Sequence, residues 1–320
     1  MAALALGIIG FGIMGERLLR QALPHPELRL SGIWDPSPEA AARLAAIDPA
    51  LTMAADAAAV IAGCDALYVA APPAAHIPLA RAALQAGKAV LLEKPLATSL
   101  AEAEAFVTEA EAMGARAAVN FPMASSPAVA QLSAWRAAAG TPQKLRIDTH
   151  FAHWPRGWQR DAAGWLARRA EGGFTREVVS HFLFLTLRQL GPLRLLSAET
   201  TYPGGGMAET AIRAELTAGG VPVSLSGTVG QITADEANAW TLTAADGSIR
   251  LRDWSLAERL HEDGTWHPAA DAVPNERMRP MVLRGQMDKL VAMTRGQPHG
   301  LATLREALDV QRIVEAILAA

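Results

Sequence analysis

A glycine pattern near the N-terminus limits what this chain can become more than any other feature. Ala5-Leu-Gly-Ile-Ile-Gly10 is a short apolar run, followed by Phe11-Gly12-Ile13-Met14-Gly15 and then by a helical pattern over 16–23. The glycines at 10, 12 and 15 form G-x-G-x-x-G in the strand–turn–helix setting that gives the motif its meaning. Gly10 permits a tight turn, Gly12 lets the backbone approach a pyrophosphate, and Gly15 lets helix and strand pack closely. The helix N-terminus adds N–H donors and partial positive charge, so residues 10–15 are a candidate phosphate cradle.

A second strand, 29–34, ends in Asp35, where a carboxylate can accept both hydroxyls of an adenosine ribose. The same carboxylate repels a 2′-phosphate, which favours NAD over NADP. Pro36-Ser37-Pro38 offers no arginine to hold that phosphate. Ser37 is a candidate donor and Arg43 a candidate cation reaching back, so NADP stays open as the alternative.

Ala89-Val-Leu-Leu-Glu93-Lys94-Pro95-Leu96 reads as a buried strand ending at a charged pair. In open parallel sheets, ligands bind at that end of the strands. Pro95 restricts Lys94 towards extended backbone, giving a cation with a limited direction at the sheet mouth. Taken alone, the segment fits a surface Glu–Lys pair equally well.

Residues 1–121 alternate strand and helix, implying parallel strands with helices on both faces. Strands are expected at 5–10, 29–34, 51–53, 66–71, 89–93 and 116–120, with helices near 37–46, 55–62, 74–86 and 100–113. Ala71-Pro72-Pro73 breaks the chain at the ligand-binding edge, and His76 starts the next helix, either near the cofactor or packing at the helix start. Asn120 ends the last strand at the same edge.

Beyond Pro122 the pattern changes to period-two alternation at 144–151, 193–201, 210–216, 221–229 and 239–244, with Asp246-Gly247 turning into 248–251. This predicts a largely antiparallel sheet with one covered face. Helices follow at 278–294 and 301–319, the second a candidate to pack back on the first domain. The fold class is thus α/β: a doubly wound parallel domain, 1–121, then an α/β domain, 122–320, with an open-faced sheet.

Within the second half, Gly172-Gly173 leads into an apolar helix that carries Glu177 and His181. At i and i+4 they share a face, where a carboxylate favours a protonated imidazole and fixes its ring. A satisfied structural pair is the competing account.

With 51% hydrophobic and 19% charged residues over 320 positions, the chain has ample material for two cores. Its net charge of −3 and lack of basic runs argue against a nucleic-acid surface. Cys64 is alone, which excludes a cysteine zinc site within one chain. His150 and His153, three apart on a strand, would face opposite sides, so no metal is expected. No apolar run reaches the length of a membrane span, and a cytoplasmic location is expected.

Together these segments resemble the Gfo/Idh/MocA oxidoreductases, the glucose–fructose oxidoreductase and inositol dehydrogenase group. The matching motifs are Gly10–Gly15, Pro72-Pro73-Ala-Ala-His76, Ala86-Gly87-Lys88 through Glu93-Lys94-Pro95, and the Gly-Gly helix leading to His181. The resemblance implies a Rossmann domain, a second domain used for homo-oligomerisation (dimer or tetramer), and hydride transfer between nicotinamide C4 and a CH–OH or C=O carbon. It assigns Lys94 to the nicotinamide ribose and the reacting oxygen, and His181 to general acid/base work, with Glu177 tuning it. Both must then reach one substrate.

The chain departs from the family where Glu177 replaces an aspartate, Phe184 replaces another, and the 120–127 loop lacks an arginine. These changes suit a less hydroxylated or acidic substrate, lined by His153, Trp154, Trp158 and Arg176, with His150, Arg160 and Trp165 nearby. Rival readings on the same scaffold are a nicotinamide-sensing regulator without turnover, an imine reductase, or an NAD-dependent glycosidase.

Overall fold

The computed structural model describes residues 2–320, the side chains of 160–162 excepted. Two compact units emerge, each drawing on two runs of chain: Met1–Ser125 with Pro280–Leu308, and Ser126–Arg279 with Asp309–Ala320.

In the first unit, strands β1 (Leu4–Ile9), β2 (Leu28–Trp34), β3 (Ala66–Val69), β4 (Ala89–Leu92) and β5 (Ala117–Val119) alternate with helices. These helices are α1 (Ile13–Ala22), α2 (Glu39–Ile47), α3 (Ala57–Gly63), α4 (His76–Gln85) and α5 (Leu100–Ala112). The strands pair in parallel in the order β5-β4-β3-β1-β2. Their all-apolar runs follow from burial on both faces: every residue of β3 and β4 is buried. Because the chain moves from β1 outward to β2 and then returns to β3, the strand order reverses between β1 and β3. Ligand crevices of such sheets open there.

The expected strand at 51–53 is absent. One bond, from Ala54 N–H to the Ile33 carbonyl at 2.7 Å, ties this segment to β2, while Leu51 and Met53 pack on the core. Two apolar side chains anchor the loop without a ladder.

The second unit begins with α6 (Pro127–Ala138), which the alternation did not disclose, and is built on an eight-stranded sheet. The strands are β6 (Pro142–Phe151), β7 (Leu193–Thr201), β8 (Ala211–Ala218), β9 (Val221–Val229), β10 (Glu236–Ala244), β11 (Gly247–Arg252), β12 (Leu256–Leu260) and β13 (Trp266–Pro268). The order is β13-β12-β11-β10-β6-β9-β8-β7, antiparallel except for β6 against β9. Along β8, Ile212, Ala214, Leu216 and Ala218 are buried while Arg213 and Glu215 are exposed, so one face is covered and the other open. The short α7 (Ala163–Leu166) and the long α8 (Ser180–Leu190) lie between β6 and β7 in sequence, and α8 contacts β7 and β8. Fully buried Trp240 donates its indole N–H to Thr186 Oγ1 at 2.9 Å, fastening α8 to β10.

The chain ends with α9 (Asn275–Thr294), β14 (Ala302–Thr303) and α10 (Leu304–Leu318). The sequence division placed 122–320 in the second domain with 301–319 as the helix to pack back, and it is α9 that returns: Met287, Leu290, Val291 and Met293, with Leu301 beyond it, join the core of the first unit, and β14 adds an antiparallel edge to β5. Apolar burial accounts for the return. Among the described residues no helix is long and apolar enough to cross a membrane.

Candidate active site

At the end of β1, Gly10 has φ +91°, and a Cβ there would overlap the backbone of Ala70 and Ala71 at the end of β3. A Cβ on Gly15 would overlap the Gly10 carbonyl. A Cβ on Gly12 would meet nothing within 4 Å, so the space over this glycine is open. No side chain caps α1, which leaves its first N–H groups for an anion. The two crowded glycines and the one open one fit a dinucleotide pyrophosphate.

Asp35 follows β2 beside the glycine turn. Its Oδ2 accepts the Phe11 N–H at 2.6 Å and its Oδ1 accepts the Ser37 N–H at 2.8 Å. Carboxylate oxygens have further lone pairs for ribose hydroxyls. The Ser37 hydroxyl donates to Glu39, placing a second carboxylate beside the first. Arg43 does reach this turn, but its Nη2 donates to the Phe11 carbonyl at 2.9 Å. Two acids against one engaged arginine disfavour a 2′-phosphate.

At the end of β4, Glu93 is buried and accepts from the Tyr68 hydroxyl and from Asn120 Nδ2, the latter at 2.6 Å. Gln286 on α9 donates to Asn120 Oδ1 at 2.7 Å and to the Phe121 carbonyl at 3.0 Å, while Ser125 donates to Gln286 Oε1 at 2.8 Å. Asn120, read from sequence as a cofactor ligand, is fully buried and spent on this chain. Burial pushes the Glu93 carboxyl up despite its donors, and burial with the adjacent carboxylate pushes the Tyr68 hydroxyl well up. The backbone of Lys94 is thereby anchored on a rigid polar post.

His76 is a staple, not an open ligand group. Its Nδ1 lies 2.8 Å from the Pro95 carbonyl and its Nε2 lies 2.8 Å from the Ala71 carbonyl. It joins the Pro72-Pro73 turn to the loop after Lys94. Burial holds its imidazole below the usual value, against the pull of the two carbonyls.

In the second unit, the segment before α8 is a π-helical turn, Thr175–Val179, which carries Glu177. Such turns recur at functional sites. Gly172 and Gly173 are required here: a Cβ on the first would overlap the Leu166 carbonyl, and on the second, at φ +99°, the Glu209 carboxyl. Glu209, which sequence reasoning missed, is buried and accepts the Thr175 N–H at 2.7 Å. It caps the helix that presents His181, and burial holds its carboxyl above the usual value.

His181 is buried, with its ring 5.5 Å from Trp254 and edge-on at 79°. Burial holds the Arg156 guanidinium below its usual value, against the pull of Glu236 and of half-buried Glu177. Arg156 also donates to Glu236 at 3.1 Å and stacks 4.7 Å from the Trp158 ring.

The substrate candidates separate. Trp158 is exposed and next to Arg156, and His153 is exposed. Trp154 is fixed in an aromatic cluster with Phe151 and Phe174 and donates to the Leu166 carbonyl at 3.0 Å. Arg176 is consumed: Nε and Nη2 donate to Glu315, both at 2.7 Å, and Nη1 donates to the carbonyls of Arg169 and Gly172. It clamps α10 to the π-turn and is corrected from substrate ligand to structural tie. Phe184 is a core residue under Arg188, so its replacement of an acid changes packing and not an open lining. His150 bonds Thr228 at 2.8 Å, and Trp165 is half-buried. Arg160's side chain lies outside the described residues.

Residues 4–121 match the Gfo/Idh/MocA family model, described as oxidoreductase family, NAD-binding Rossmann fold. Over this part the chain is similar to the Gfo/Idh/MocA oxidoreductases. Over 119 residues, 36% of this chain and 37% of its relative, it is 39% identical to the myo-inositol dehydrogenase Hyg17 of Streptomyces leeuwenhoekii. Over 157 residues, 47% of this chain and 48% of the relative, it is 29% identical to the oxidoreductase YceM of Salmonella typhimurium. The matches span less than half the length of these curated relatives. The UDP-N-acetylglucosamine 3-dehydrogenase GnnA of Acidithiobacillus ferrooxidans shares the fold, with a TM-score of 0.79 at 20% identity, over 100% of this chain and 98% of that one. The glycine turn and Asp35 both lie within the matched residues.

Proposed function

We propose that the protein is an NAD-dependent oxidoreductase acting on a CH–OH or C=O carbon of a sugar, polyol or less hydroxylated relative. The reading is supported by Lys94 just beyond β4, in the part of the chain that resembles NAD-binding Rossmann folds, with its neighbour Glu93 locked by Tyr68 and Asn120. Hyg17 supports the substrate class by its name. Residues 10–15 would hold the pyrophosphate and Asp35 the adenosine ribose. When bound, the nicotinamide supplies a hydride acceptor or donor.

In the oxidation direction His181 would take the hydroxyl proton, and Lys94 would stabilise the negative charge developing on that oxygen. In the reverse direction His181 would return the proton. Glu177 would bias and orient the imidazole. We place the enzyme in the cytoplasm as a dimer or tetramer joined through the open sheet face, which light scattering on the purified protein reads directly.

His181→Ala and Lys94→Ala should each lower turnover about a hundredfold or more while NAD binding survives. The assay is nicotinamide absorbance across sugars, sugar acids, polyols and imines with both cofactors. Wild-type turnover in both variants would end the assignment. Cofactor binding without any absorbance change would favour a regulator, and product formed without net NAD reduction would favour a glycosidase.

A further inference from the structure

The hairpin joining β11 to β12 contains the two non-glycine residues with left-handed backbone among the described residues, Asp253 at φ 45° and Trp254 at φ 71°. Ser255 N–H closes the turn on the Arg252 carbonyl at 3.3 Å. Turns of this hand favour Asn, Asp or Gly. Asp253 suits its place: its N–H donates to the Asn238 carbonyl at 2.9 Å, its Oδ1 accepts the Asn238 N–H at 3.2 Å, and its Oδ2 accepts from Arg252 at 2.9 Å. Trp254 does not suit its place. A bulky side chain there is a steric outlier that glycine would relieve. Strained residues of this kind persist where the surroundings over-determine them, and they cluster at functional sites.

The indole that incurs this strain is directed at the candidate acid/base. Its ring lies 5.5 Å from His181, edge-on, and 5.2 Å from Phe182, tilted at 38°. Trp254 is only half-buried, so part of its surface is left beside His181. An indole is a broad apolar plate with a polarised face, suited to the C–H face of a saturated ring. We propose that Trp254 is a specificity residue, an apolar wall beside His181 that selects ring-shaped over open-chain substrates; this rests on the acid/base reading of His181.

The test pairs a pyranose sugar with its open-chain alditol on wild type, Trp254→Gly, Trp254→Leu and Trp254→Phe. The wild type should prefer the ring. Trp254→Gly and Trp254→Leu should lower the kcat/KM ratio of ring to open chain about tenfold, mainly through KM, and Trp254→Phe should recover it to within about threefold. Circular dichroism and NAD titration check that each variant is folded, and Trp254→Leu carries the comparison if Trp254→Gly is not. The His181 ring protons should show a ring-current shift in the wild type that disappears in Trp254→Leu, a readout independent of turnover. An unchanged ratio in folded Trp254→Leu, a wild type indifferent to ring closure, or the lack of a ring-current shift would overturn the inference while a dead His181→Ala left the acid/base reading intact. An active His181→Ala would remove both.

Discussion

Glu93 shows how one residue can set a pH dependence for the whole protein. Burial holds its folded carboxyl above the ordinary value, so the unfolded chain ionises first on raising the pH. The folded state then binds the extra proton, and stability from this group is complete below the ordinary carboxylate range and lost as pH climbs through the raised value. Glu93→Gln removes that titration and keeps an acceptor for Tyr68. Its melting temperature relative to wild type should therefore rise between about pH 5 and about pH 8. A difference that stays flat across that range would mean Glu93 titrates normally. Glu209 is shifted in the same direction, but it is present in both proteins and cancels.

At the scale of the element, the π-turn and α8 depend on contacts that come from elsewhere in the chain. Glu209 caps the turn, Arg176 ties it to α10, and Trp240 fastens α8 to the sheet. Gly173 is the position where these constraints leave no room. Gly173→Ala meets both a left-handed φ and the Glu209 carboxyl, so it should cost about 3 kcal/mol in urea unfolding. A loss below about 1 kcal/mol would show that Glu209 can retreat without cost. The glycine pair was legible as a helix entrance. Its partner 36 residues later was not, because nothing local in Glu209 marks it as a cap.

At the scale of the whole molecule, the first unit is completed by chain that comes after most of the second. Met287, Leu290, Val291, Met293 and Leu301 are all buried in its core. Five such side chains contribute about 10 kcal/mol of burial, comparable with the net stability of a domain. A fragment of residues 1–121 should lack a cooperative thermal transition, and linking 280–308 to residues 1–125 should restore one. A fragment 1–121 that melts cooperatively on its own would show that the return segment is dispensable.

The N-terminal architecture was readable because its signals are local. A glycine turn constrains the adjacent backbone, continuous apolar runs mark strands buried on both faces, and Asp35 lies within one βαβ unit of the turn. Six strands of the second sheet, β6 to β11, were equally plain, since one covered face imposes period two on each strand separately, whereas β12 and β13 were not expected. What escaped was decided by packing between distant segments. Arg176 reads as an available cation until Glu315 takes its Nε and Nη2 and two carbonyls take its Nη1, and Asn120 reads as a ligand until Gln286 and Glu93 enclose it. Trp254 carries no turn signature at all, because its side chain and its backbone want different things. Sequence alone therefore determined most strands of both sheets, the glycine turn and the candidate residues, each written in a few neighbouring positions. Only the tertiary structure decided which polar groups are consumed and which stay open, because a hydrogen bond engages its donor wherever in the chain the partner lies.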